Sequence, residues 1–155
     1  MALKRLNKEY KDLNDDPHPN FTIERNLKNT FECRLVLNGP KDTPYEGGVF
    51  YFKILFPKDY PFSPFHVQVL TDMYHPQVQN RQKNQGYSEF CCCVSQSLTD
   101  TWSPYKTLRS VFNEILTLMV NPDFENLCLD IEFKGKKHDE EFINKAKDWT
   151  LKYAM

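Results

Sequence analysis

An α+β fold is predicted for this chain, with an N-terminal helix, a four-stranded antiparallel meander, a long loop and C-terminal helices. Helical periodicity is confined to the two ends of the chain, and alternating apolar segments lie between them. The connections between those segments are short, which favours antiparallel neighbours over βαβ units. The length of 155 residues, without repeats or an interdomain linker, fits one domain over residues 1–155.

The first helix is predicted over residues 2–13. Its apolar residues recur at spacings of three and four and form one face. They are Leu3, Leu6, Tyr10 and Leu13. Basic residues give the helix a second, positively charged side, made by Lys4, Arg5, Lys8 and Lys11. The helix ends at Asp16-Pro17-His18-Pro19, because proline cannot continue it.

Four strands are predicted next, at residues 21–24, 31–38, 49–56 and 65–70. In the second strand apolar residues alternate with mostly polar ones, which is typical of a half-buried strand. Between the last two strands, the segment from Phe56 to Pro64 holds three prolines. Such a segment suits neither a helix nor a central strand, so it is predicted to be a stiff surface loop.

Residues 71–102 carry no strong periodic pattern, and a loop of this length is typical of a functional or disordered segment. A helix is then predicted to begin at Pro104 with Ser103 as its cap and to end at Asn121-Pro122. Its apolar stripe consists of Leu108, Val111, Phe112, Ile115, Leu118 and Met119. The last helix is predicted to begin near Asp139 and to bury Phe142, Ala146, Trp149 and Tyr153.

The composition argues against several classes of function. The formal net charge is -1 and the pI about 6.4, so there is no general electrostatic reason to bind nucleic acid or an anionic membrane. The longest apolar runs are far too short to span a bilayer. The N-terminus lacks the apolar core and cleavage site of a signal peptide. We therefore expect a protein of a reducing compartment, the cytoplasm or the nucleus.

The five cysteines are accordingly expected to be thiols. Cys33 and Cys128 lie among apolar residues and are expected to be buried. No metal site is predicted at Cys91-Cys92-Cys93. Neighbouring side chains in an extended strand point to opposite faces, and no Cys-x-x-Cys pair or nearby His completes a tetrahedral zinc site.

Four motifs follow one another along the chain, and the three adjacent cysteines lie between the last two motifs. They are Tyr45-Glu46-Gly47-Gly48-Val49-Phe50, the proline-rich segment 56–64, Tyr74-His75-Pro76-Gln77, and Trp102-Ser103-Pro104. In this order they resemble the ubiquitin-conjugating enzyme family over essentially the whole chain. The two ends, residues 1–5 and 149–155, are especially similar to the small core-domain subgroup that works with many RING and HECT ligases.

The resemblance implies the ubiquitin-conjugating fold and a relay. An activating enzyme uses ATP to load ubiquitin, or a ubiquitin-like protein, as a thioester. The conjugating enzyme takes the modifier onto its own cysteine, and a ligase directs it to a substrate lysine or to the ligase's own cysteine. This chemistry needs a thiolate that is both nucleophile and leaving group. It implies a monomer without a cofactor of its own, since ATP is used by the activating enzyme.

The family has one cysteine where this chain has three. Cys91 is the first choice as nucleophile, because Phe90 then precedes it and Val94 takes a buried position. Cys93 is the second choice, because it brings the spacing to the Trp-Ser-Pro motif closer to that of the family. Cys92 satisfies neither pattern well. The reading in which none of the three cysteines reacts and all serve only packing also stays open.

Two further departures concern residues around the cysteine. His75-Pro76 matches the family, but Gln77 replaces an Asn that supports the active-site loop and stabilises an oxyanion. The longer Gln either misplaces this amide, at a cost on the order of 100-fold to 1000-fold in rate, or serves structurally and merely slows catalysis. In the segment after Asn121, the family's acidic residue matches Glu125 or Asn126. Either side chain would orient an incoming amine, and only Glu125 would accept its proton.

The resemblance also implies binding surfaces. Five positions match those that bind ligases and are called the predicted ligase surface: Arg5, Pro61, Phe62, Ser103 and Pro104. The positions expected to meet the activating enzyme are Lys4, Arg5 and Lys8. Thr22 matches a position used for noncovalent ubiquitin binding. The alternative to an active enzyme is a catalytically impaired variant that acts as a ubiquitin- or ligase-binding adaptor or as an inhibitor.

Overall fold

A computed structural model describes residues 1–79, 88–90, 100–123 and 140–155 of the chain. Three helices lie within these ranges: α1 (Ala2–Asp15), α2 (Leu108–Val120) and α3 (Glu140–Tyr153). The strands are β1 (Phe21–Arg25), β2 (Glu32–Asn38), β3 (Val49–Leu55), β4 (His66–Val69), β5 (Val78–Gln79) and β6 (Ser88–Phe90). No helix in these ranges is long and apolar enough to cross a bilayer.

The sheet begins with the predicted antiparallel meander and is extended at one edge. Its strand order is β1-β2-β3-β4-β6-β5. Leu35 of β2 pairs with Phe52 of β3, which pairs in turn with Val69 of β4. Alternation sends these apolar residues to one buried face. Phe112 of α2 packs edge-on against Phe21 of β1, with ring centroids 5.4 Å apart, so the core lies between the sheet and α2.

The strands β5 and β6 were not predicted. They contain two and three residues and lie inside the stretch expected to be irregular. A strand this short shows no alternation that a sequence pattern could reveal, and its pairing depends on the edge that β4 offers. Gln68 and Val69 of β4 pair with Glu89 and Ser88 of β6. The two strands carry the sheet to the neighbourhood of the predicted site.

The predicted start of α2 was wrong. Ser103 does not cap this helix, because Lys106 N–H donates to the Ser103 carbonyl at 2.9 Å and closes a turn. The N-cap is Thr107, which exchanges side-chain and backbone hydrogen bonds with Ser110 in a capping box. Trp102-Ser103-Pro104 therefore precedes α2 as a loop.

Two predicted core positions are also corrected. Leu3 is 50% exposed, and the buried residues of α1 are Ala2, Leu6, Glu9 and Tyr10. Tyr153 is 41% exposed at the end of α3, whereas Phe142 and Ala146 are buried as predicted. Cys33 is buried as expected, and Cys128 lies outside the described residues.

Candidate functional site

The residues predicted to act at the reaction centre fall into two groups. His75, Pro76 and Gln77 are described and buried. The other predicted residues lie outside the described ranges, and their roles stay predictions: Cys91, Cys92, Cys93, Glu125 and Asn126. The described residues nearest to them in sequence, Phe90 and Asp123, both meet the segment that begins at His75. This segment is therefore the part of the site whose geometry is known.

His75 is a neutral, buried anchor with 1% of its surface exposed. Its Nδ1 accepts a hydrogen bond from the backbone N–H of Gln77 at 3.0 Å, so the ring proton is on Nε2. Nε2 donates to the carbonyl of Leu118 in α2 at 2.8 Å. Burial lowers the pKa of His75 to about 4, and the hydrogen bond to Leu118 opposes this only in part. At neutral pH the ring therefore ties its loop to α2 and carries no charge.

Gln77 clamps the chain that leaves α2. Its side chain is 1% exposed. The amide Nε2 donates to the carbonyl of Asp123, and the amide Oε1 accepts from the Asp123 backbone N–H at 3.1 Å. Asp123 precedes Glu125 by two residues in the sequence. The amide of Gln77 thus satisfies both backbone groups of one residue, which is a structural use of this side chain.

The strand pair β5–β6 brings the cysteine-bearing segment into register with the same loop. Val78, which follows Gln77, pairs with Phe90, and Gln79 pairs with Glu89. Phe90 is the residue immediately before Cys91 in the sequence. The residue that precedes the three cysteines in sequence is therefore paired with Val78, the residue that follows Gln77.

The Tyr-x-Gly-Gly motif supports this region through α3. The Tyr45 hydroxyl donates to the carbonyl of Tyr74 at 2.7 Å, directly before His75. A Cβ atom at Gly48 would lie 2.8 Å from the Thr150 side chain and 3.1 Å from that of Ala154. Only glycine permits so close an approach of the loop to the end of α3. The motif fixes the C-terminal helix and the start of the His75 loop together.

The proline-rich loop and the Trp-Ser-Pro loop are joined into one surface. The indole Nε1 of Trp102 donates to the carbonyl of Pro61 at 2.8 Å. Phe65, which follows Pro64, is buried and packs edge-on against Trp102 with ring centroids 5.7 Å apart. Its ring also lies 6.2 Å from that of Phe112 in α2. The ring of Phe65 therefore supports the base of this loop.

The predicted ligase surface divides into supporting and exposed residues. Pro61 is buried, Ser103 and Arg5 are half-buried, and Pro104 is exposed. Phe62 is 63% exposed, which agrees with the stiff surface loop predicted for this segment. Sequence reasoning missed Tyr105, which follows Pro104 and is 92% exposed. A large aromatic residue after the Trp-Ser-Pro motif was the signal available. Phe62, Pro104 and Tyr105 give this surface its accessible apolar area.

A buried carboxylate beneath this surface was also missed. Glu9 of α1 is 5% exposed. It forms an ion pair with Arg5, accepts from the Tyr60 hydroxyl at 2.8 Å and accepts from the backbone N–H of Leu108 at 2.9 Å. The side chain of Arg5 also donates to the carbonyl of Lys106 at 2.9 Å. Partial burial would lower the pKa of Arg5, but the hydrogen bond and charge of Glu9 outweigh it and raise that pKa.

The other predicted contact residues are accessible. Lys4 and Lys8 are exposed on α1, one turn apart. Thr22 is exposed on β1 and pairs with Val36 of β2. Within the described ranges, no group of three or more His, Cys, Asp or Glu side chains is placed to hold a metal ion.

Comparison with known proteins decides the family. The sequence model of the family described as ubiquitin-conjugating enzyme matches residues 5–150, nearly the whole chain. The chain belongs to the ubiquitin-conjugating enzyme family. Its structure is also similar to the crystal structure of a putative ubiquitin conjugating enzyme from Plasmodium yoelii, with a TM-score of 0.87 and 29% sequence identity. That match covers 100% of this chain and 96% of the other.

Family membership confirms the resemblance drawn from the four motifs and the ubiquitin-conjugating fold. It implies ubiquitin, an activating enzyme and ligases as the general partners of this ubiquitin-conjugating family member. The subgroup of multi-ligase enzymes stays a prediction.

Proposed function

We propose that this chain is an active ubiquitin-conjugating enzyme, which accepts ubiquitin from an activating enzyme as a cysteine thioester and passes it to a substrate lysine or a ligase. The observation that carries the proposal is the pair of hydrogen bonds between the Gln77 amide and the backbone of Asp123. Because Gln77 holds the chain at Asp123, after the end of α2, the replacement of the family's Asn by Gln keeps the two segments of the site joined. Its role is that of a support, as is the role of His75 and Pro76.

The first chemical step is thioester exchange. The thiolate of Cys91, our first choice, attacks the carbonyl carbon that joins ubiquitin to the activating enzyme. A new carbon–sulfur bond forms, and the thiolate of the activating enzyme leaves. Cys93 and then Cys92 are the other candidates. ATP is consumed by the activating enzyme in making the first thioester, so this chain needs no cofactor.

The second step is transfer to an amine. The lysine nitrogen attacks the same carbonyl, its proton passes to a base, and Cys91 leaves as the thiolate. Glu125 is the proposed base, and Asn126 is the alternative that would orient the amine without accepting the proton. Both follow Asp123, the residue that Gln77 holds.

Two surfaces are proposed to bind the protein partners of these steps. The predicted ligase surface offers the exposed side chains of Phe62 and Pro104, extended by Tyr105. An exposed aromatic ring on a proline-stiffened loop is a suitable anchor for a partner groove. Lys4 and Lys8 are proposed to meet an acidic patch of the activating enzyme. We propose a monomer that works in the cytoplasm, the nucleus or both.

A charging assay tests the proposal. The intact protein is mixed with activating enzyme, ATP and ubiquitin, and its mass is measured with and without reductant. The wild type should gain one ubiquitin that reductant removes. Cys91→Ser should give an adduct that resists reductant, because serine forms an ester. Cys92→Ser, Cys93→Ser and the matched control Cys33→Ser should charge like the wild type.

The outcomes separate the possibilities. A reductant-sensitive adduct that is lost only in Cys93→Ser would move the nucleophile and leave the function standing. An adduct lost in no single variant would show that neighbouring cysteines substitute for each other. No adduct from folded wild-type protein would contradict activity with ubiquitin.

An adaptor or inhibitor is the second candidate function, and one observation favours it. The predicted ligase surface is formed by α1 and two loops, all of which are separate in sequence from the three cysteines. A chain that failed to charge would still bind ligases through this surface. Competition with a charged conjugating enzyme for a RING ligase tests this function, and binding without charging would establish it.

A further inference from the structure

Glu9 lies where three separate parts of the chain converge under the predicted ligase surface. Its carboxylate accepts hydrogen bonds from Arg5 on the preceding turn of α1, from the Tyr60 hydroxyl and from the backbone N–H of Leu108. Tyr60 directly precedes Pro61-Phe62, and Leu108 is the first residue of α2, after the loop that holds Ser103-Pro104. One side chain thus connects α1 with both loops of the surface.

The chemistry of this cluster makes the connection specific. Glu9 is 5% exposed, so water solvates its carboxylate very little. Hydrogen-bond donors of the protein must stabilise the negative charge instead. The two oxygens have separate tasks: Oε1 meets Arg5 and Tyr60, and Oε2 meets Leu108. A negative charge is also favoured at the N-terminus of α2 by the exposed N–H groups there.

Two further contacts lock the same arrangement from outside. Arg5 reaches past Glu9 to the Lys106 carbonyl, and Trp102 donates to the Pro61 carbonyl. Both carbonyls belong to the loops that Glu9 joins. The relative position of Phe62 and Pro104 is therefore determined by α1 through Glu9 as well as by direct contact between the loops.

We propose that Glu9 is a positioning residue for ligase binding: it holds the Phe62 loop and the Ser103-Pro104 loop in one arrangement before a ligase arrives. The inference rests on the proposed function, since it assumes that this surface binds ligases. A preformed surface loses less conformational entropy on binding, so loosening it weakens affinity even though Glu9 itself is covered.

Glu9→Gln is the informative variant, because it keeps the size of the side chain and removes its charge. All three neighbours of Glu9 donate, whereas a Gln offers one acceptor and one donor group. The Tyr60 hydroxyl can turn to accept, but Arg5 and Leu108 then compete for the single oxygen. Asp12→Asn is the matched control, since Asp12 is an exposed carboxylate on the same helix. Tyr60→Phe is a milder second variant that removes one donor only.

The first measurement is amide hydrogen exchange by NMR on the uncharged protein. In Glu9→Gln, the amides of Phe62, Lys106 and Leu108 should exchange about tenfold faster or more, while that of Leu35 in β2 stays within about twofold. Tyr60→Phe should accelerate exchange at Phe62 alone. Unchanged exchange at all three amides would overturn the inference, whether or not any ligase binds.

The second measurement is affinity for a RING domain that binds the wild type. Glu9→Gln should bind about tenfold more weakly, and Asp12→Asn should bind equally well. Ile115→Val supplies a stability control, because it weakens the core under α2 without touching the surface. If Ile115→Val lowers Tm as much as Glu9→Gln and weakens binding as much, Glu9 acts only through general stability and the inference is wrong.

The design separates this inference from the proposed function. Phe62→Ala should weaken RING binding roughly thirtyfold if the surface is the ligase site. A wild type that binds none of a panel of RING and HECT domains would contradict the ligase role, and the exchange measurement would still decide whether Glu9 positions the loops. A wild type that binds, with Glu9→Gln binding equally well, would leave the function standing and refute the inference.

Discussion

The segment His75–Gln77 and the predicted ligase surface are both anchored by buried polar side chains, but the anchors differ in charge. Around the reaction centre, a neutral imidazole and a neutral amide bind backbone groups of Leu118 and Asp123. Under the ligase surface, the Glu9 carboxylate binds a guanidinium, a hydroxyl and a helix N-terminus.

This difference has a functional consequence. The frame made by His75 and Gln77 is neutral, so in the proposed mechanism it adds no formal charge that would tune the cysteine thiolate. A charged anchor holds its neighbours more strongly, because hydrogen bonds to ionised groups are about twice as strong as those between neutral groups. The predicted ligase surface, which is proposed to bind its partners in one fixed shape, has the stronger anchor.

The largest effect is expected from Gln77→Ala. Removing the side chain deletes its two hydrogen bonds to Asp123, at about 1 kcal/mol each, and leaves a cavity at a buried position, so the free energy of unfolding should fall by about 4 kcal/mol. Gln68→Ala, at a half-buried glutamine of β4, is the control and should change it by less than about 1 kcal/mol. Denaturant unfolding measures both. A loss for Gln77→Ala no larger than that of the control would contradict the structural use of this amide.

A dependence of stability on pH follows from His75. Its pKa is about 4 in the folded protein and 6.5 when unperturbed, so the unfolded state binds more protons between these values. The stabilisation is complete above pH 6.5 and is lost as the pH falls toward 4, by up to roughly 3 kcal/mol.

Comparison with His75→Gln isolates this contribution. His18 has a pKa lowered by burial and by the charge of Arg109, and it contributes with the same sign to both proteins. The difference in the free energy of unfolding between wild type and variant should therefore shrink as the pH is lowered from 6.5 to 4. A constant difference over that range would refute the neutral anchor.

At the predicted ligase surface, the corresponding test of its role in binding is Phe62→Ala. Truncating an exposed aromatic anchor should cost about 2 kcal/mol of ligase affinity, or roughly thirtyfold in Kd, with Tm almost unchanged. Leu27→Ala is the control, because Leu27 is 97% exposed outside the surface. Calorimetric titration with one RING domain gives both affinities. Equal binding by the two variants would remove Phe62 from the interface.

The smallest effect is expected at an exposed ion pair, which shows how much burial matters to Glu9. Glu24 and Arg34 pair across β1 and β2, and both side chains are 50% exposed. Glu24→Gln should lower the free energy of unfolding by less than about 1 kcal/mol, and the loss should fade with added salt. A loss of several kcal/mol that salt did not reduce would contradict this contrast between exposed and buried charges.

Most of the fold was predictable because it depends on local periodicity. The alternation in β2 and the spacing of apolar residues in α2 report which faces are buried. The prediction for α1 was wrong at Leu3, which is exposed. It also missed Glu9, because the hydrophobic pattern of a helix assumes that carboxylates face water. Burying Glu9 requires donors from Tyr60 and Leu108, which are 51 and 99 residues away.

At the candidate site too, local motifs were predictable from the sequence and distant contacts were not. The motifs identified His75 and Gln77, but the partner that gives Gln77 its role is Asp123, 46 residues further along the chain. The wrong cap at Ser103 had a local cause. The prediction rested on the Ser-Pro pair, whereas the actual cap is Thr107, which lies four residues further on and pairs with Ser110.

Discharge of ubiquitin to free lysine tests most directly the claim that Gln77 supports the site without impairing it. Wild type and Gln77→Asn would be charged, separated from the activating enzyme and mixed with lysine in a single-turnover reaction. The account predicts that wild type discharges, at a rate within about tenfold of that of Gln77→Asn. If asparagine accelerates discharge by about 100-fold or more, the natural Gln77 lacks an oxyanion contact that the reaction needs, and the account is contradicted.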